Sequence, residues 1–177
     1  MLNFDSPFSR SLKHEGISPI CIVRDIEQGK HLKELGAVEV LDSSDVEFSK
    51  NLKSVVSALK PRIMLDAVAN QASADIFMAM PSRSRWIIYG KLDSTPPTIA
   101  EMGQFVFSEK VIEGFWLVRW FQKTDLGKQM QVIKSVQDRF VSEKRKTEVS
   151  KVLKFDEVMT GLPDALKTGA KVMLIPK

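Results

Sequence analysis

An α/β fold built on a parallel sheet is predicted by three observations in this chain of 177 residues. Short apolar runs, rich in β-branched residues and too short for helices, recur at 20–23, 38–41, 63–68, 86–90 and 110–114. Segments with the spacing of amphipathic helices fall between them. A strand, a helix and a strand in that order require a crossover, and crossovers of this kind make parallel sheets with helices on both faces.

Each element has its own signals. Residues 1–15 form an N-terminal start leading into a short helix, with Ser6 as cap, Pro7 early in the helix and Phe8 and Leu12 on one face, stopped by Gly16. After the strand Ile20-Cys21-Ile22-Val23, the spacing of Ile26, Lys30, Leu32 and Leu35 predicts a helix. Gly36 ends it, being able to take the left-handed C′ conformation. Over 45–59, Leu52, Val55, Val56 and Leu59 lie on one stripe, and Pro61 breaks that helix. A third helix is predicted over 71–80, ended by Pro81, and a short one over 98–107 after the loop Asp93-Ser94-Thr95-Pro96-Pro97. The run 115–121 is unusually aromatic, too apolar for an exposed connection. A long helix over 125–143 should turn Met130, Ile133, Val136, Phe140 and Val141 inward. A strand over 149–153, a helix over 155–166 and a strand over 171–175 close the chain.

Composition bounds the function. With 44% hydrophobic and 27% charged residues the chain is ordinary for a globular protein. No apolar run approaches the ~20 residues of a membrane span, so no membrane partner is expected. The N-terminal stretch lacks a basic region followed by an apolar core, so no secretory signal is expected. The lone Cys21 fits a reducing compartment, and a cytoplasmic location is expected, with mitochondria open if a native N-terminus precedes this one. A net charge of +4 permits an anionic ligand and falls short of a nucleic-acid signature. The pI near 9.2 is the main support for nucleic-acid binding, and none is expected. The basic residues 144–146 suit an exposed helix end. One cysteine with His14 and His31 offers no zinc site, and no paired carboxylates suggest acid–base chemistry.

The motifs IVRD (22–25), LKELGAVEVLDSS (32–44), LDAVAN (65–70), WIIYGKLD (86–93), VIEGFWLVRW (111–120) and GAKVMLIP (169–176) occur in one order at set intervals. Together they resemble the cofactor-binding half of the medium-chain dehydrogenase/reductase superfamily, above all its zinc-free quinone oxidoreductase and 2-enoyl reductase branch. The resemblance implies a Rossmann-like dinucleotide-binding domain over 1–123, with 124–177 as a C-terminal helix and β-α-β tail from the substrate domain. It also implies the departures. The family's glycine-rich turn would have to precede 11–16, and LNFDSPFSRS contains no glycine. The first strand, central in the 3-2-1-4-5-6 order, is missing. So is the preceding catalytic domain. The two strands flanking the missing one should either pair directly or have the break covered by a second molecule.

The resemblance also assigns candidate site residues. Arg24 follows the second family strand and is suited to the 2′-phosphate of NADP, which puts NADP ahead of NAD; Asp25 beside it has the opposite charge. A solvated strand end is the other reading of Arg24. Asp66, Val68 and Ala69 would lie by the ribose and nicotinamide, or serve as core and turn. Tyr89 and Gly90 match a turn near the nicotinamide, or Tyr89 is a strand-end aromatic with its hydroxyl in water. Phe115, Trp116 and Leu117 match the loop lining the cofactor cleft, or are core or dimer contacts. Lys171 matches a basic position near the cofactor phosphates, or is a solvated lysine. The implied function is an NADPH-dependent quinone or enoyl reductase, incomplete as a catalyst alone. The other class of function is a non-catalytic binding or dimerisation protein on the same fold. Expected partners are a dinucleotide and either a second copy or a chain supplying the missing domain.

Overall fold

Ile20–Val23 forms β1 because its β-branched run stands extended beside Glu39–Asp42, β2, in parallel register from Ile20 opposite Glu39 to Val23 opposite Asp42. The structure, a computed structural model, describes residues 12, 15–24, 26–29, 32–142, 149–167 and 171–176. Pro7, Phe8, His14, Asp25, Lys30, His31 and the basic run 144–146, all read in the sequence, lie outside the described residues. Gly16 has φ +70° and Gly36 φ +107°, the left-handed backbone expected where each stops a segment.

The helix expected over 26–35 is shorter. α1 covers Ile26–Gly29, and a turn then carries the buried Leu32 toward Gly36. Gly29 explains the difference, because a β-carbon there would come within 2.7 Å of Val40 Cγ1. The residue that lets the helix press onto the strands is also a poor helix former. Ala37 N–H donates to Leu32 O at 2.9 Å and fixes the return.

Phe48–Leu59, α2, buries Leu52 and Val56, one turn apart. Its end is local: Lys60 is left-handed at φ 49° and donates its N–H to Val56 O at 2.9 Å, and Pro61 forbids a further helical residue. Ile63–Asp66 (β3), Arg85–Ile88 (β4) and Val111–Gly114 (β5) make a three-stranded parallel sheet in the order β3-β4-β5. Between them lie Gln71–Ala79 (α3) and the short Gly103–Phe107 (α4). Asn70 caps α3, its Oδ1 accepting from Ser73 N at 3.1 Å. Lys110, buried, closes the other end of α3: its Nζ donates to Phe77 O at 2.8 Å and Met78 O at 2.9 Å and sits 5.3 Å from the Phe77 ring centre.

Among the described residues, two clusters lie in the core of this unit, which spans Phe8–Asp125. One joins Leu41, Leu52, Val56 and Ile76, with Ile22 and Met64 against it, so α2 and α3 lie over strands of both sheets. The other joins Ala74, Phe77, Met80 and Trp86, with the Phe77 and Trp86 rings 5.5 Å apart. Direct pairing of the strands that flank the missing one does not occur. β1 bonds β2, β3 bonds β4, and among the described residues no pairing links β1 to β3. Both strands pack against one cluster under α2 and α3, so the side-chain core holds them in one body without a ladder between them.

Leu117–Lys123, α5, continues directly from the aromatic run. Phe115, Trp116, Leu117 and Val118 are exposed in this unit, against the expectation that so apolar a run would be covered. The other compact unit includes Leu126–Lys177. Its long helix, α6, covers Leu126–Ser142 and has no buried residue, so Met130, Ile133, Val136, Phe140 and Val141 do not turn inward as expected. The stripe is amphipathic, but the strands of this unit bury a different helix. Val149–Lys154 (β6) and Lys171–Ile175 (β7) pair in parallel, and Val158–Lys167 (α7) packs on both, burying Leu153 and Ala165. A 3₁₀ turn, Phe155–Glu157, leads into α7.

Candidate functional site at the carboxyl ends of the strands

In an open parallel α/β sheet, ligands bind beyond the carboxyl ends of the strands. Arg24 follows β1, Asp66 ends β3, Tyr89 and Gly90 follow β4, and Phe115 and Trp116 follow β5. Backbone hydrogen bonds tie several of these segments together. Tyr89 N–H donates to Asp66 O at 2.9 Å, Leu92 N–H to Ala67 O at 2.9 Å and Asp93 N–H to Val68 O at 3.1 Å. Phe115 N–H donates to Ile88 O at 2.8 Å.

Asp66 organises the loop after β3. Its Oδ1 accepts from Val68 N at 2.8 Å, and its Oδ2 accepts from Ala69 N at 3.1 Å and from the Trp86 indole Nε1 at 3.0 Å. The carboxylate is buried and its oxygens are taken by protein donors. By drawing in two successive N–H groups it holds Ala69 at φ 55°, a left-handed conformation that a β-carbon disfavours. Val68 is half-buried and Ala69 buried. Gly90 is required by this same loop, because a β-carbon on it would stand 3.1 Å from Ala67 O and 3.2 Å from Ala67 Cα. Tyr89 is part-exposed; burial, and next the charge of Asp66, push its phenol above the ordinary value, so its hydroxyl keeps its proton.

Arg24 is exposed just past β1. The Thr95 N–H, and after it the Asn70 side chain and the charge of Arg24, hold Asp93 below the ordinary carboxylate range. Trp116 is 65% exposed, and Phe115 and Leu117 are exposed beside it. Lys171 opens β7 in the other unit, and its side chain lies outside the described residues.

Three residues of this edge were missed in the sequence. Asp42 accepts from Ser44 Oγ at 2.7 Å, Ser44 N at 2.8 Å and Ile26 N at 3.3 Å. The Ser44 hydroxyl first, then the backbone N–H groups, lower its pKa. The Asp-Ser-Ser turn was its signal. Asn70 and Asp93 link the loops after β3 and β4; Asn before an apolar helix was the sign of the first, whereas the approach of Asp93 is long-range and left no local mark.

Among the described residues, no group of three or more His, Cys, Asp or Glu side chains could hold a metal ion. Cys21 is buried, and burial raises its thiol pKa, which keeps it protonated and unsuited to a metal. The described side chains do not fit zinc. No glycine-rich turn offers N–H groups to a pyrophosphate among the described residues. Also among them, no helix is long and apolar enough to cross a membrane.

The profile of the zinc-binding dehydrogenase family matches residues 10–135. A mitochondrial enoyl-[acyl-carrier-protein] reductase of Dictyostelium discoideum is 29% identical over 145 residues, covering 76% of this chain and 41% of that protein. The Yarrowia lipolytica protein of the same name is 30% identical over 115 residues, covering 61% of this chain and 30% of that protein. A Mesorhizobium loti structure named as an NADPH:quinone reductase superposes with a TM-score of 0.84 at 38% identity, covering 95% of this chain and 48% of that one. The Candida tropicalis mitochondrial 2-enoyl thioester reductase heterodimer shares the fold, with a TM-score of 0.70 at 20% identity over 93% of this chain and 49% of that one. The chain thus spans less than half the length of these relatives. The expected cytoplasmic location does not stand, because the similar enoyl reductases, from slime mould to mammals, are all named mitochondrial. Matched by that profile over most of its length, the chain belongs to the zinc-binding dehydrogenase family of the medium-chain dehydrogenase/reductase superfamily, on its zinc-free quinone- and enoyl-reductase side.

Proposed function

We propose that this chain is the NADP(H)-holding part of a quinone- or enoyl-type reductase, with residues 1–123 as the dinucleotide-binding domain and 124–177 as a tail that completes a substrate domain. The observation that carries this reading is the joining of the loops after β3 and β4 into one edge at the carboxyl ends of the strands. A nicotinamide cofactor supplies hydride chemistry when bound, and the protein's task is to hold and orient it. Arg24 would pair with the 2′-phosphate, which favours NADP over NAD. Asp66 positions the loop bearing Val68 and Ala69 without touching the ligand, since its oxygens are already bonded. Tyr89, Gly90, Phe115, Trp116 and Leu117 would line the nicotinamide side. Lys171 is proposed as a contact to the cofactor phosphates. Turnover would need the remaining half of the length that the relatives have, whatever polypeptide carries it, to close the cleft against water.

Calorimetric titration with NADPH and NADH tests this reading. Saturable binding should prefer NADPH, and Arg24→Ala should weaken NADPH by about tenfold or more, as loss of a charge-assisted bond does, while leaving NADH nearly unchanged. Equal binding of both nucleotides by the wild type and the variant would remove Arg24 from the site. A second reading, a binding or dimerisation protein that has lost its cofactor, is favoured by one observation, the absence of a glycine-rich turn among the described residues. It predicts no saturable binding of either nucleotide.

A further inference from the structure

α3 carries the chain back from the end of β3 to the start of the parallel β4, so its carboxyl end lies at the edge opposite the candidate cofactor site. α2 ends three residues before β3 begins, at that same edge. An open hollow of about 390 Å³ lies between the two helix ends, within the size range of small-molecule sites, about 300–1,000 Å³. Lys53, Val56, Ser57 and Lys60 line it from α2 and its end, and Ala79 and Pro81 from the end of α3. All six lie in the unit Phe8–Asp125. Val56 is buried and Ala79 and Pro81 are half-buried, which makes an apolar floor. Lys53, Ser57 and Lys60 are exposed, one helical turn apart along a single face.

The fold itself does not account for both lysines. A cation at the end of a helix offsets its carbonyl groups, which explains Lys60. Lys53 lies two turns earlier, out of reach of that effect. The carbonyl end of α3 is already met from within, by Lys110 Nζ on Phe77 O and Met78 O, and Arg62 donates to Ser82 O just beyond it. Nor does the helix surface supply a counter-charge. The positions three and four residues from Lys53 hold Ser49, Lys50, Val56 and Ser57, and Lys50 is itself paired with Glu47 at 2.7 Å. Among the described residues the Lys53 and Lys60 ammonium groups and the Ser57 hydroxyl have no hydrogen-bond or ion-pair partner. Two unpaired cations and a hydroxyl above an apolar floor are the complement of an amphiphilic anion. We propose that this hollow binds a small organic anion, a carboxylate or phosphate head group on a short apolar body. Lys53, Lys60 and Ser57 hold the head group, and Val56, Ala79 and Pro81 receive the body. The proposal stands on an edge of the sheet that the cofactor reading does not use, and is independent of it.

The test is amide NMR of the full chain, with hexanoate and hexyl phosphate as probes and hexanol as the uncharged control. At least one of the anions should give saturable shifts at the Val56, Ser57 and Ala79 amides, and hexanol should not. Lys53→Gln, which leaves the helix end untouched, should weaken binding several-fold. Lys53→Gln combined with Lys60→Gln should weaken it by about tenfold or more, as loss of charge-assisted bonds does. Both side chains are exposed, and an unchanged urea midpoint checks that each variant is folded. No saturable shift at these amides with either anion, equal shifts from hexanol, or undiminished binding by the folded variants would each overturn the proposal. So would inorganic phosphate binding as tightly as the probes, since the apolar floor would then have no part in it. NADPH titration is read at the opposite edge, at the Val68 and Ala69 amides, so failure here leaves the cofactor reading standing.

Discussion

At Asp66 a single carboxylate meets three donors, two from the loop that follows it and one from the Trp86 indole. Replacing one oxygen by an amide NH₂ turns an acceptor into a donor facing donors in a buried place. Asp66→Asn should therefore destabilise the fold by about 1–3 kcal/mol, seen as a lower urea midpoint with a red-shifted Trp86 emission. An unchanged midpoint would mean that the loop is held by something else. Lys110 is the other buried charge with a defined task, capping the carbonyl end of α3. Burial holds its pKa below the ordinary lysine value, so between the two values the unfolded chain carries a proton that the folded chain lacks. Stability from this group is complete above the ordinary value and is lost as pH falls through the folded one. Lys110→Met should flatten that dependence in urea unfolding across an alkaline pH series; an unaltered slope would show that another group sets it.

Among the elements, the approach of two loops decides the site. Gly90 lies against Ala67, and Gly90→Ala should force the loops after β3 and β4 apart. A cost of roughly 1–3 kcal/mol is expected from such overpacking, with weaker NADPH binding; a variant with unchanged stability and affinity would show that the loops relax freely. The strands and most helix ends were legible in the sequence because their causes are local: β-branched runs, Pro61 and Pro81 as breaks, and Gly36 as a left-handed stop. α1 was overestimated because the spacing of Ile26, Lys30, Leu32 and Leu35 takes no account of Gly29, whose missing β-carbon makes room for Val40. α6 was misjudged for a different reason. Periodicity identifies an apolar stripe over Met130, Ile133 and Val136, but not whether a neighbour covers it. The site edge was legible as motifs, whereas the bonds between Asp66 and Trp86, 20 residues apart, come only from the pairing of β3 with β4.

At the scale of the whole molecule, two parallel sheets share a core but no ladder, and the chain spans less than half the length of its relatives. On the proposed reading, this chain holds the cofactor. The measurement that tests this account most directly is NADPH titration followed by tryptophan emission. Trp116, 65% exposed beside the proposed nicotinamide side, is the reporter, and Trp86, 1% exposed in the core, is the internal reference. The account predicts saturable quenching that Trp116→Phe removes and Trp86→Phe leaves in place. Emission that does not change up to millimolar NADPH, or quenching that survives Trp116→Phe intact, would contradict it.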